Sequence, residues 1–399
     1  MKIPMSSPDI TEAERAAVAD VLSTNTLSIG PQVEKFEKAL AHVVESPHAI
    51  AVSSGTAALH MSVLAGGIRD GDFAITSPFS FVSSANCLLY ERAVPIFVDV
   101  DPDTGNIDPQ LAVEAADDLC RGGLAARRWL PRSMRDEPMR GSLKAFLPVH
   151  AFGRPADLDP IVAAAGRLNL FVIEDACEAI GARYKGRPVG TIGDVGCFAF
   201  YPNKQMTTGE GGMLVTRRTD WDALFRSLRN QGRDVFDAWL SHSRLGYNYR
   251  LDELSCALGA VQVSRLPELL RKRARVARWY HERLSSLGEQ VTTPEAGASD
   301  DAVSWFVYVI RLESGSVRRL VIDRLEQAGI PTRPYFSPIH LQPFYADRFW
   351  YRRGDFPNTE RLADTSLALP FSSVMTESQV DCVCEHLAAA LQQQPLMAS

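Results

Sequence analysis

Between Ile50 and Val215, short apolar runs rich in β-branched residues end in Gly, Asp or Pro and alternate with amphipathic stretches, an order that points to an α/β fold. AIAVSS followed by GTAALHMSVLAG reads as a strand turning into a helix. DFAITSP, PIFVDVD, KAFLPVHAFG, LFVIEDA and GCFAFYP read as further buried strands. Sheets of this kind bind ligands outside the carboxyl ends of their strands, and the polar residues of these runs fall at those ends. Beyond Asp252 the pattern becomes helical (LSCALGAVQVSRLPELLRKRARVARWYHERLSSLG), then gives one strand, SWFVYVIRL, and helix–loop alternation. A chain of 399 residues exceeds one ordinary core. The expectation is an N-terminal arm and a large, mostly parallel sheet domain over residues 1–270, a smaller α+β domain over 271–399, and a long helix bridging the two.

Composition narrows the partners. A net charge of −6 argues against a general nucleic-acid binder, which needs a concentrated positive surface, and favours a small-molecule partner. No apolar run approaches the length of a membrane span and the first residues lack an apolar leader core, so a cytoplasmic location and no membrane partner are expected. The seven cysteines form no CxxC pair and read as reduced structural thiols. Cys382 and Cys384 could suggest a metal, but cysteines in an apolar helix also serve simply to pack, and no metal is expected. Six arginines between Leu119 and Leu143 surround Trp129. This stretch is either a solvated loop with a short extra helix or a docking surface for phosphate or a partner.

The chemistry concentrates in a few places. In FAFYPNKQMTTGEGGMLVT a strand ends near Tyr201, a loop presents Lys204, and Gly209, Gly211 and Gly212 permit a tight return into the next strand. About one strand–connection–strand unit earlier, LFVIEDACEAIGA puts Glu174 and Asp175 at the end of an apolar strand, where both could line one crevice. Asp175 either caps a helix or keeps a ring nitrogen protonated so that the ring can accept electrons. In VSSGTAALH, Gly55 and Thr56 open a helix whose N-terminal N–H groups suit an anion, although ordinary capping explains them equally. Phe79 reads as core, while Phe81 either packs or stacks on a flat heteroaromatic ring.

With these residues in place, the chain resembles the DegT/DnrJ/EryC1/StrS group, the sugar aminotransferases of pyridoxal-phosphate fold type I. SSGTAAL, SPFSFVSSAN, IEDACEAIGA, YPNKQMTTGEGG and GYNYRLDEL occur in the expected order, and the likeness runs from IPMSSPDITEAE to PTRPYFSPIHLQPFY. It implies that Lys204 carries pyridoxal 5′-phosphate as a Schiff base and that Asp175 pairs with the pyridine nitrogen. Gly55 and Thr56 then hold the phosphate, and Phe81 stacks on the ring. It further implies that Asn248 of GYNYR reaches the phosphate of a neighbouring subunit, so that a homodimer shares its active sites. The reaction so implied takes an amino group from an amino acid, usually glutamate, to a keto-sugar, commonly nucleotide-linked, and sometimes to a keto-cyclitol. Arg229 of RNQGR and Arg333, Tyr335 and His340 of PTRPYFSPIH are polar enough to line the acceptor pocket.

Two positions depart from the family pattern. Ala199 stands where many members have a serine that helps hold the phosphate, and Glu178 stands where Gln or His is common, which puts its cofactor contact in doubt. Other function classes fit less well. A sugar dehydratase on this fold replaces the lysine with histidine, and a non-catalytic pyridoxal-phosphate-binding regulator loses the Lys–Asp pair. A plain nucleotide-binding α/β protein needs a G-x-G-x-x-G turn or a P-loop lysine.

Overall fold

The structure is a computed structural model that describes residues 2–234, 241–297 and 301–392. Its strands are β1 (His48–Val52), β2 (Phe73–Thr76), β3 (Val94–Phe97), β4 (Leu143–Leu147), β5 (Phe171–Asp175), β6 (Arg183–Tyr184), β7 (Arg187–Pro188), β8 (Val195–Ala199), β9 (Gly212–Thr216), β10 (Val291–Thr292), β11 (Tyr308–Leu312) and β12 (Ser366–Leu369). Seven of them form the main sheet in the order β1-β9-β8-β5-β4-β2-β3. The pairs from β3 across to β8 are parallel, whereas β9 runs antiparallel to both β8 and β1. Every expected strand of this domain is present.

Alternation along each strand divides the core between the two faces of the sheet. Ile50, Val52, Ala145, Leu147, Ile173 and Leu214 pack on one side with the helices Gly55–Ala65 and Thr219–Arg229. Ala49, Ala51, Met213 and Val215 face the other side, against the helices Pro31–Val43 and Glu253–Leu284. Phe73, Ile75, Phe146 and Val172 share that side, covered by Pro109–Arg121 and Asp159–Leu168. The small sheet, β10-β11-β12, forms a separate core with Gly315–Gln327, Glu377–Gln392 and the last turns of Glu253–Leu284. Residue 270 falls within that 32-residue helix. We therefore propose that the two domains share the helix, with the division between them near its middle.

Period two also decides what β5 does with its two carboxylates. Glu174 is fully buried and does not line the crevice expected of it. Its oxygens accept the backbone N–H groups of Gly190, Ile192 and Gly193, each at 2.7 Å, and the ring of His150 at 3.1 Å. His150 Nδ1 accepts from the Ala156 N–H, so the His150 proton sits on Nε2, facing Glu174. A second remote cap is Glu253. Its carboxylate takes the N–H groups of Gly30, Gln32 and Val33 at the start of Pro31–Val43, a helix without a side-chain cap of its own.

One reading of the sequence needs adjustment. SWFVYVIRL becomes a strand only from Tyr308, because Trp305 takes a left-handed φ of 50° and the N–H groups of Ser304 and Phe306 go to the carbonyls of Gly153 and Phe152. The arginine-rich stretch forms a short helix, Gly123–Arg127, and a 3-10 turn, Arg132–Met134. Asp118 receives Arg121, Arg128 and Trp129 Nε1, Arg132 pairs with Asp355, and Arg135 binds the Leu130 carbonyl. These partners make it a stapled surface extension, the first of its two readings. Among the described residues no His/Cys/Asp/Glu group could hold a metal, and no helix is long and apolar enough to cross a membrane.

The Glu174 network yields a test. In Glu174→Gln the amide NH₂ must face backbone donors, which costs on the order of 3 kcal/mol. Thermal unfolding should show a midpoint lower by several degrees, and an unshifted midpoint would remove the network from the structural account.

Candidate active site

The carboxyl ends of β5 and β8 open on a cavity of about 350 Å³ lined by Gly55, Thr56, Phe81, Asp175, Glu178, Lys204 and Tyr335. Gly55 begins its helix behind an N-cap at Ser54, whose hydroxyl accepts the Ala57 N–H at 3.0 Å. Glycine is required there. A Cβ on Gly55 would come within 2.7 Å of the Ala199 Cβ and 2.8 Å of Cys177 Sγ. Beside this helix start, the Thr56 and Ser83 hydroxyls lie 2.9 Å apart. Unpaired helix N–H groups and a hydroxyl pair thus share one end of the cavity, a donor set suited to a phosphate.

Asp175 is 4% exposed and is held from two sides. Ser84 Oγ donates to Oδ2 at 2.6 Å, and the Cys177 N–H donates to Oδ1 at 3.1 Å. Ser84 is in turn 2.7 Å from Ser80 Oγ. These bonds fix the carboxylate's plane, the geometry a partner to a ring nitrogen requires.

Lys204 sits on the loop between β8 and β9, its N–H bonded to the Tyr201 carbonyl at 2.9 Å. Its Nζ lies 3.6 Å from Glu178 Oε1 and 3.9 Å from the centroid of the Phe306 ring. Glu178 Oε2 accepts the Phe152 N–H at 2.9 Å. Burial pushes the Glu178 carboxyl above the ordinary range; the charge of Lys204 and the Phe152 N–H offset only part of that rise. Gln205 closes the loop from below, donating to the Glu178 carbonyl at 2.6 Å and to Ser304 Oγ at 2.7 Å.

The other expected residues divide. Phe81 is 63% exposed at the cavity rim, and Tyr335 stacks against Phe336 and Phe152 within the cavity's aromatic wall. Arg333 lies close by in sequence but is exposed, its Nη1 bonded to the Thr332 carbonyl at 2.8 Å. Asn248 is exposed, bridges to Asn230, and does not line its own chain's cavity.

Arg229 and His340 are corrections, because both side chains are committed to the fold. Arg229 Nη1 binds the buried Glu37 at 2.5 Å and the Ala51 carbonyl at 2.7 Å. His340 is fully buried, 3.1 Å from Glu360 and packed edge-on against Phe356, and burial lowers its pKa. Sequence reading also missed Ser84, Phe306 and Arg273. The last had a visible signal: with Leu266, Leu269, Val276, Ala277, Tyr280 and Leu284 it keeps the spacing of one buried helical stripe.

The residues fit pyridoxal phosphate: an amine for its aldehyde, a fixed carboxylate for its pyridine nitrogen, and a helix N-terminus with hydroxyls for its phosphate. Fold and site define a pyridoxal-phosphate-dependent aminotransferase. The chain belongs to the DegT/DnrJ/EryC1/StrS aminotransferase family, whose model matches residues 8–388. It is 37% identical over 385 residues to the GDP-perosamine synthase of Caulobacter vibrioides, covering 96% of each chain. It is 35% identical to the spore coat polysaccharide biosynthesis protein SpsC of Bacillus subtilis, covering 96% of this chain and 95% of that one. Among solved structures, DesV of S. venezuelae in complex with a ketimine intermediate matches with a TM-score of 0.85 at 29% identity, covering 99% of this chain and 100% of that one.

The raised Glu178 carboxyl predicts a pH dependence. Because its folded pKa lies above the unfolded 4.5, its contribution to stability is complete below pH 4.5 and is lost as pH rises through the folded value. Glu178→Gln does not titrate and keeps an oxygen for the Phe152 N–H. The variant should therefore melt higher than the parent at neutral pH, with the difference shrinking as pH falls to 4.5. A parent that melts higher at neutral pH would show that attraction to Lys204 outweighs burial.

Proposed function

We propose that this chain moves an amino group from an amino acid, L-glutamate, to the keto group of a nucleotide-linked sugar in amino-sugar biosynthesis. The observation that carries the reading is the meeting of Lys204, Asp175 and the Gly55–Thr56 helix start in one cavity. The relatives' names support the acceptor class, since one is a GDP-perosamine synthase and another a spore coat polysaccharide biosynthesis protein.

Pyridoxal phosphate, when bound, supplies the electron sink that stabilises negative charge on the carbon losing its proton. The chain's residues do the rest. Lys204 Nζ would hold the cofactor covalently and, as a free amine, would carry a proton from one carbon to another. Asp175, locked by Ser84 and the Cys177 N–H, keeps the ring nitrogen protonated. The helix start, with Thr56 and Ser83, binds the phosphate, and the Ser83 hydroxyl supplies a contact in place of the one lost at Ala199. Phe81, at the cavity rim, would cover the ring and limit water. Tyr335 contributes to the acceptor side, and Arg333 reaches toward it only if its side chain swings from Thr332. Exposed Asn248 completes the phosphate site of a second copy, which makes the active form a homodimer.

Lys204→Ala should bind cofactor that borohydride no longer fixes to the protein; label fixed on a different lysine would overturn the assignment. Asp175→Asn should retain the cofactor yet slow its conversion by glutamate at least about a hundredfold, because the missing charge matters most in the transition state. Single-turnover absorbance measures this, and an unchanged rate would remove the electron-sink role from Asp175. The acceptor is tested with the glutamate-treated enzyme and a panel of nucleotide-linked keto-sugars and free keto-cyclitols. Reoxidation by cyclitols alone would refute the nucleotide-sugar reading.

A further inference from the structure

Arg273 is 1% exposed in the middle of the helix Glu253–Leu284. A buried guanidinium ordinarily pairs with a carboxylate, because an isolated charge is costly to remove from water. Burial lowers the pKa of Arg273 to about 10, with no acidic partner acting on it among the described residues, and the group remains cationic at neutral pH. Its fork is spent on backbone carbonyls of two distant segments. Nη1 donates to Trp305 at 3.2 Å and Phe306 at 3.0 Å, and Nη2 donates to Asn203 at 3.2 Å and Lys204 at 2.6 Å.

Both segments matter to the same atom. Asn203 and Lys204 are the backbone from which the amine projects, and Phe306 supplies the ring 3.9 Å from Lys204 Nζ. Neither segment is held there by regular structure. Residues 201–211 form a loop between β8 and β9, and residues 304–306, centred on the left-handed Trp305, precede β11. A planar fork with donors on two nitrogens can bridge four carbonyls at once, which a lysine ammonium with three donors cannot do in the same plane.

We propose that Arg273 is a positioning residue for transamination, joining the Lys204 loop and the Phe306 segment into one rigid unit that fixes the direction of Lys204 Nζ. The proposal rests on Lys204 being the lysine that carries the cofactor. A proton moved between two carbons by one amine is sensitive to displacements well below the size of an atom, so looseness in the loop reaches the rate before it reaches donor affinity. A purely structural arginine would instead lower stability throughout the molecule.

The test compares the parent holoenzyme with Arg273→Lys, which keeps the charge and loses the fork. Borohydride followed by peptide mapping first locates the cofactor in both, and label away from Lys204 in the parent overturns both the functional reading and this inference. With label on Lys204, the glutamate half-reaction should slow about tenfold or more while the half-saturating glutamate stays within about twofold. Hydrogen exchange should accelerate in peptides covering 202–207 and 304–307 and stay unchanged in the central strands. An unaltered half-reaction overturns the proposal, and so does exchange that accelerates across the whole molecule. Should Arg273→Lys fail to fold, exchange in the parent decides: amides 203–206 as protected as those of β8 support the clamp, and exchange at exposed-loop rates overturns it.

Discussion

Everything in the catalytic half of the molecule depends on the pleat of β5, which sends two neighbouring carboxylates to opposite faces of the sheet. Glu174 turns inward and gathers three backbone donors and His150, fixing the turn that leads into β8. Asp175 turns toward the cavity and is oriented by Ser84 and the Cys177 N–H. Because β5 and β8 are hydrogen-bonded neighbours about 4.8 Å apart, locking the turn between them also sets how far the Lys204 loop stands from Asp175. One residue determines where the strand lies, and the next uses that position. A one-residue slip of register would exchange the two, burying the wrong carboxylate and emptying the site.

Much of this was legible in the sequence because strand ends and glycine turns carry local chemistry. The five parallel strands, the Gly55 helix start and the Lys204 loop each announce themselves within about a dozen residues, and the structure brings Gly55, Thr56, Phe81, Asp175, Glu178, Lys204 and Tyr335 to one cavity. What could not be read is which neighbour a polar side chain meets across the fold. Arg229 and His340 have the composition of a substrate pocket but answer to Glu37 and Glu360, partners distant or ambiguous along the chain. Arg273 sits within the basic run RKRAR, which suggests a solvated face, although its spacing places it on the buried stripe. Periodicity reports the face a residue occupies, whereas its partner is set by tertiary packing. The left-handed turn at Trp305 was hidden for a related reason: WFVYVIRL has strong strand composition, and only the competing bonds to Gly153 and Phe152 divert its beginning.

The cavity also shows how the charges are distributed. Its acidic groups are the side chains of Asp175, Glu178 and Glu210, whereas much of its positive potential comes from backbone N–H groups at the start of the Gly55–Ala65 helix. Such donors do not titrate and need no reorganisation when an anion arrives. Arg273, close behind the lysine loop, spends its own charge on the carbonyls of Asn203, Lys204, Trp305 and Phe306.

The sheet order bears on how the chain is assembled. β1 is an edge strand, paired among the described residues with β9 alone, and the helix that covers it, Pro31–Val43, receives its cap from Glu253. On a ribosome adding roughly 5–20 residues per second, β1 emerges on the order of ten seconds before the strand that satisfies its backbone, and the cap comes later still. An early strand of the sheet is therefore among the last to be secured. During that interval the apolar run around Ile50 and Val52 is an unpaired edge, open to pairing with other chains.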